Sequence, residues 1–265
     1  MTQTNLEVEA TSPENGYGIS REQAARLGAE LLSERPPEGG DRYVCYKIDG
    51  TDRFTDIGRQ VECEVFNEAF GNDPEQMKEE YGPYEEQSTF FVSMDRETGV
   101  PTGVLRVIRN GEGGFKSLND LEGVIPGFSK DEAIAAHGID NLDECWDIGT
   151  VAVPKEYRAR VGGVSLQLYR GMFVTSQKEG IKHYVSVIDE KPFEKMKKFL
   201  GFPFELIHGG EPFSYLGSER SLPLYGDATR FEKAVQRKEW TIRGLLARKA
   251  LRMLSRGTRD DALQF

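Results

Sequence analysis

Residues 145–165 read CWDIGTVAVPKEYRARVGGVS, and the order of elements they encode decides the fold. Cys145 to Val153 is an apolar, partly β-branched run of strand length, and Pro154 closes it because proline cannot donate to a ladder. The turn that follows carries Arg158 and Arg160 and the adjacent pair Gly162 and Gly163. Val164 then opens a helix that runs to about Glu179. A strand that turns through glycines into a helix gathers unpaired N–H groups at one spot. The helix end adds partial positive charge, and glycines let the backbone approach a phosphate. Arg158, Arg160, Val161, Gly162, Gly163, Val164 and Ser165 are therefore the candidate anion-binding residues. A tight turn without a ligand would use the same glycines, so the two guanidinium forks carry the distinction.

Downstream, Gly180 precedes a strand over His183 to Ile188, a short helix over Pro192 to Phe199 and the segment Leu200-Gly201-Phe202-Pro203. This is a β-α-β-α order. Further strands are expected at Phe204 to Ile207 and Leu222 to Tyr225, with a last helix over 231–254. Upstream, Ser20 caps a helix over Arg21 to Arg35, which Pro36, Pro37, Gly39 and Gly40 end. A strand over Tyr43 to Ile48 and a helix over Thr55 to Phe70 follow, then an acidic loop over 71–87. Thr89 to Met94 and Val104 to Ile108 form an antiparallel hairpin across a turn-rich link. Residues 111–142 read as a polar insertion with one short helix near Ser129 to Ala136, a candidate substrate-side lid. The resulting organisation is a polar tail to residue 18, one domain over 19–256 with its core at 43–226, and a tail from 257.

Composition narrows the function classes. No apolar run approaches the roughly 20 residues that span a bilayer, and the N-terminus lacks the basic start and apolar segment of a signal peptide. The expectation is a cytoplasmic protein. Cys45, Cys63 and Cys145 lie far apart, and only His137, His183 and His208 could join them. No close-spaced pair suggests zinc, so the cysteines read as buried, reduced thiols. The net charge of −10 argues against general nucleic-acid binding. Residues 230–259 hold ten Lys/Arg against Glu232 and Glu239, about +8, leaving about −18 for the rest. Such a segment attracts an acidic partner.

The run Val151-Ala152-Val153-Pro154-Lys155-Glu156-Tyr157-Arg158, followed by Arg160-Val161-Gly162-Gly163-Val164-Ser165, resembles the GNAT superfamily of N-acetyltransferases. There a strand enters V-x-P-x-Y-R, and a pyrophosphate loop Q/R-x-x-G-x-G/A opens the next helix. This chain ends the pattern in Ser165 and has one extra residue before Gly162. Phe199-Leu200-Gly201-Phe202 lies where the superfamily has an L-G-F ending, so the likeness covers about 144–202. It implies an α/β (α+β) fold with a mixed, mostly antiparallel, splayed central sheet flanked by helices, plus extra N- and C-terminal helices. It also implies acyl-CoA or acyl-phosphopantetheine as co-substrate, with no permanently bound cofactor. The pantetheine arm would lie along Val151, Ala152 and Val153, and an amine would attack the thioester directly. Asp147 falls where many members carry a basic glutamate, and Glu144 is the second choice. The usual tyrosine acid is replaced by Lys197, so Tyr184 or another residue substitutes, or the thiolate leaves unaided; a thiol pKa near roughly 8.5 permits that.

A second likeness is to the autoinducer-synthase and N-acyl amino acid synthase branch. It rests on Arg59 to Phe66 before the acidic loop, the hairpin Phe90-Phe91-Val92 with Gly103 to Ile108, and Trp146 to Val153. That branch implies longer acyl chains, acyl carrier protein as a donor and a small-molecule amine such as an amino acid as acceptor. Between Ile242 and Leu254 the apolar residues fall on one helical stripe with arginines outside it. Such a helix suits an acidic carrier protein or peripheral contact with an anionic membrane; a stripe packed on the core with solvated arginines fits equally. Two rivals stand beside this reading, a small-acetyl transferase and a non-catalytic acyl-CoA-binding module.

Overall fold

The computed structural model describes residues 16–158, 163–200, 203–231, 233 and 263–264. Helix α1 (Arg21–Glu34) begins with a capping box in which Ser20 and Gln23 satisfy each other's backbone N–H groups. Strand β1 (Tyr43–Asp49) leads to α2 (Thr55–Phe70), which stops at Gly71 in the left-handed region, φ 79°. Residues 71–87, expected as a loop, contain α3 (Pro74–Tyr81) and a short 3-10 turn. Asp73 caps α3 and Pro74 starts it, and burial of Met77 and Tyr81 outweighs its acidic surface. The hairpin expected from the sequence is β2 (Ser88–Asp95) and β3 (Pro101–Ile108), paired antiparallel. Every residue of both strands is buried.

The insertion holds α4 (Lys116–Val124), which the sequence reading missed, as well as α5 (Lys130–Ala136) capped by Ser129. Strand β4 (Cys145–Ala152), the single turn α6 (Lys155–Arg158), α7 (Val164–Lys178), β5 (His183–Asp189) and α8 (Glu190–Leu200) then follow the expected order. Strands β6 (Glu205–Leu206), β7 (Phe213–Tyr215) and β8 (Ser218–Asp227) complete that edge. Strand β8 is longer than expected and β7 was not foreseen. The short pair β9 (Leu263–Gln264) lies parallel to β1. Of the last helix expected at 231–254, almost all lies outside the described residues.

The sheet runs β6-β8-β5-β4-β3-β2-β1-β9, with β7 beside β8. Apart from β1 with β9, only β4 and β5 pair in parallel among the described residues. One face is covered by α7 and α8, over a core that includes Phe91, Leu105, Trp146, Leu168 and Phe193. The other is covered by α1 and α2 beside β1–β3 and by α4 and α5 beside β4, β5 and β8. Gly103 lets α7 approach β3, since a Cβ there would lie 2.5 Å from Val164. Among the described residues no helix is long and apolar enough to cross a membrane.

Candidate functional site

Strands β4 and β5 pair over only three positions, Cys145 with His183, Trp146 with Tyr184 and Asp147 with Val185. Beyond them β5 continues against β8 and β4 against β3. The sheet is therefore forked, and no strand among the described residues pairs with the β5-facing edge of β4 from Ile148 to Ala152. At the crotch, Ser186 Oγ donates to the Ile148 carbonyl at 2.7 Å, a side-chain bond where the ladder ends. The register of β4 on β3 slips between Arg106 and Val107, opposite Thr150 and Ile148, so Gly149 is a bulge residue. An extra residue bends its strand, and here the bend coincides with the fork.

The free edge of β4 ends at Val153 and Pro154, and Arg158 Nε turns back to donate to the Val153 carbonyl at 2.6 Å. Gly163 is the N-cap of α7 and provides no side-chain cap. Val164 is buried and Ser165 is exposed. The lack of a capping side chain thus leaves the first N–H groups of α7 uncapped, which is the usual condition for an anion site at a helix start. Arg160, Val161 and Gly162, expected to complete that site, lie outside the described residues. Val151 packs against the α7 side, whereas Ala152 faces α2.

The three expected acid/base residues do not converge. Asp147 is fully buried on the α4 side, where Ser117 donates its N–H and its Oγ–H to the two carboxylate oxygens, each at 2.6 Å. It caps α4 from a distance. Burial pushes its carboxyl up to about 6, although both bonds from Ser117 pull the other way. Tyr184 projects to the opposite face, buried, with its hydroxyl 2.6 Å from Ser176 Oγ and its ring edge-on to Phe231. Glu144 stands at the closed end of the β4–β5 pair, ion-paired with Lys182 at 2.6 Å. It is about 16 Å from the bulge, five strand residues at about 3.3 Å each.

Sequence reasoning missed the polar side chains gathered at the bulge. Arg106, in β3 opposite Thr150, is fully buried and ion-pairs with Glu62 of α2, also fully buried, and with Glu85 at 3.0 Å. Burial lifts the Glu62 carboxyl, and Arg106 pulls it back. The Thr150 hydroxyl donates to Glu62, and the Tyr81 hydroxyl donates to the Gly149 carbonyl at 3.3 Å. Lys116, 3% exposed, binds Glu80 and Asp120 at 2.6 Å and the Tyr215 hydroxyl at 2.9 Å. A signal existed in the sequence: Arg106 is a lone charge inside Val104-Leu105-Arg106-Val107-Ile108, and a charge in a doubly covered strand must be paired.

Cys45, Cys63 and Cys145 are free thiols and buried, and burial pushes Cys45 and Cys63 up to about 12. Among the described residues no cluster of His, Cys, Asp and Glu is arranged to hold a metal ion.

No protein-family model matches the chain, and no curated protein matches it. Solved structures do share its architecture. The structure of BjaI, a CoA-dependent acyl-homoserine lactone synthase, with SAM and isopentyl-CoA, covers 84% of this chain and 92% of its own, with 12% identity and a TM-score of 0.50. FeeM, an N-acyl amino acid synthase from uncultured soil microbes, covers 73% of this chain and 94% of its own, with 14% identity and a TM-score of 0.54. At such identities the likeness is one of fold. The fold is GNAT-like, an open and mostly antiparallel mixed sheet with helices on both faces.

Proposed function

We propose that this chain is an N-acyltransferase that moves an acyl group from a thioester donor, acyl-CoA or acyl-phosphopantetheine, to the amine of a small molecule. One observation carries the reading: β4 loses its neighbour at the fork, and its free edge leads towards the uncapped start of α7. A pantetheine arm carries amide groups that can hydrogen-bond to such an edge, and its phosphates suit the uncapped N–H groups. Val151, Ala152 and Val153 would hold the arm. Gly163, Val164 and Ser165, with Arg160, Val161 and Gly162, would hold the phosphates. Because Arg158 Nε binds the chain at Val153, its remaining N–H groups are the ones left for the donor.

The acyl carbon then lies near the bulge, where an amine can attack it directly; positioning and polarisation supply most of the rate. Asp147 is our candidate base. Its carboxylate is closed off, so the proton would pass through Ser117 Oγ, whose hydroxyl it already holds. A carboxyl near 6 is suited to that task. Tyr184, on the α7 side at the foot of the fork, is the candidate acid for the departing thiolate. Glu144, the second candidate from the sequence, stands too far from the bulge to take this proton directly.

The donor we favour is a long acyl chain on an acidic carrier protein, and the acceptor an amino acid; FeeM is named as an N-acyl amino acid synthase, which matches the acceptor. Besides the basic C-terminal segment, α8 supports it. Lys191, Lys195, Lys197 and Lys198 are exposed on that helix and have no ion-pair partner among the described residues. The helix starts where β5 ends, at the open side of the fork. Lys197 in place of a tyrosine also favours the second reading, a binding module that retains acyl-CoA without turnover.

Mass spectrometry of ligands that copurify with the chain tests both readings. A retained acyl-amine or thioester supports transfer, and bound CoA that releases no thiol with any amine supports the binding module. Calorimetry with acyl-CoA is the direct check on the site. Gly163→Asp places a carboxylate at the start of α7 and should abolish donor binding; full binding would move the donor elsewhere.

A further inference from the structure

We propose that Tyr81 and Thr150 are positioning residues that, with Glu62 and Arg106, clamp the β4 bulge and hold the strand edge in register for the donor. The inference rests on the acyltransferase reading for its consequence but on the described geometry for the clamp. A bulge disrupts the ladder and leaves its extra residue unpaired on the neighbouring strand. Here the Gly149 carbonyl is held instead by Tyr81 Oη, which comes from the end of α3. The next side chain, Thr150, is tied by its hydroxyl to Glu62 on α2. Two arms from two helices thus grip consecutive residues of the bend.

Arg106 joins the arms. Its Nε donates to Glu62 Oε1 at 3.0 Å, and its guanidinium carbon lies 4.6 Å from the centre of the Tyr81 ring. Its Nη1 donates to Glu85 and its Nη2 to the Tyr17 hydroxyl at 3.1 Å, so each guanidinium nitrogen is engaged. Lys116 Nζ lies 5.1 Å from the same Tyr81 ring, which links the arm to the insertion. A fully buried ion pair is weak as a source of stability, because desolvation offsets its attraction and apolar residues could fill the same space. What it supplies is a fixed geometry, and the place where it supplies it is the bend that frees the β4 edge. A reacting carbonyl displaced by about 1 Å can lose about 100-fold in rate, so rigidity at that bend has a functional use.

The test compares Tyr81→Phe and Thr150→Val, which remove one hydroxyl each, with Thr150→Ser, which retains it. The assay uses octanoyl-CoA with a panel of amino acids, beside calorimetric binding of the same thioester, melting temperature and amide exchange of residues 148–152. We expect kcat to fall about 10- to 100-fold in the first two variants. Donor Kd and melting temperature should stay close to wild type, amide exchange of 148–152 should be faster, and Thr150→Ser should recover the rate. A structural role alone would lower the melting temperature and leave kcat of the folded fraction unchanged. Unchanged kcat and unchanged exchange in both variants would overturn the clamp. If the wild-type protein neither binds nor consumes octanoyl-CoA and does not consume octanoyl-loaded acyl carrier protein either, the acyltransferase reading falls, and the exchange measurement alone decides whether the clamp exists.

Discussion

The two faces of β4 differ in kind. Towards α7, Trp146, Ile148 and Val153 pack into an apolar core with Phe91, Leu105 and Leu168. Towards α2, α3 and α4, the same strand presents Asp147 and Thr150 to a buried network of Glu62, Arg106, Tyr81, Ser117 and Lys116. Burial of apolar area stabilises by roughly 25 cal/mol per Å², whereas buried charges at best offset their own desolvation. At the middle of β4, one face thus contributes apolar burial and the other a fixed polar geometry. A strand that combines the two is organised for more than folding.

Substitutions can break that comparison. Trp146→Ala on the apolar face should cost about 3–5 kcal/mol of folding stability, read by denaturant unfolding; a loss below about 1 kcal/mol would mean that the apolar core does not depend on this ring. Asp147→Asn on the polar face should lower turnover by about 100-fold or more while leaving donor binding intact. Asparagine can still accept from the Ser117 N–H, so the fold should persist. Unchanged turnover would remove Asp147 from the mechanism.

The pH profile sharpens the same point. A base must be ionised to accept a proton, so kcat should rise as pH rises through about 6, and this limb should vanish in Asp147→Asn. For stability the sign is reversed. The folded-state carboxyl lies above its free value near roughly 3.9, so the folded chain holds that proton more tightly and this group's contribution weakens as pH climbs from about 4 through about 6. Equal pH dependence of wild type and Asp147→Asn would contradict both statements. The smallest effect belongs to Glu144→Gln. Its carboxylate is paired with Lys182 at the closed end of the strands, and we expect turnover within about twofold of wild type and a stability change of less than about 1 kcal/mol.

Much of the fold was legible because its signals are local. Ser20 with Gln23 announces α1, the alternation and turn residues announce the β2–β3 hairpin, and the run from Cys145 through Val164 announces a strand, a turn and a helix. Helices α3 and α4 were not legible. Glu75, Lys78, Glu79 and Glu80 conceal an amphipathic turn whose apolar residues, Met77 and Tyr81, are few, and α4 has no capping side chain of its own near its start. Its cap is Asp147, 30 residues away. Strand β7 is three residues long and is defined by β8, not by its own composition.

By itself the sequence determined the order of the elements from β4 to α8 and the split between acidic body and basic C-terminal segment, and it made the β4–α7 turn a candidate anion site, since propensity, capping and charge act over a few residues. It also placed a carboxylate at Asp147. Only tertiary structure decided where β4 and β5 part, that Gly149 bulges, and that Asp147 faces α4 while Tyr184 faces α7. Those depend on strand register, which is a property of neighbours distant in the chain, and a shift of one residue exchanges the faces. The pairing of Arg106 with Glu62, 44 positions apart, belongs with them, because a buried charge settles only where the folded chain supplies its partner.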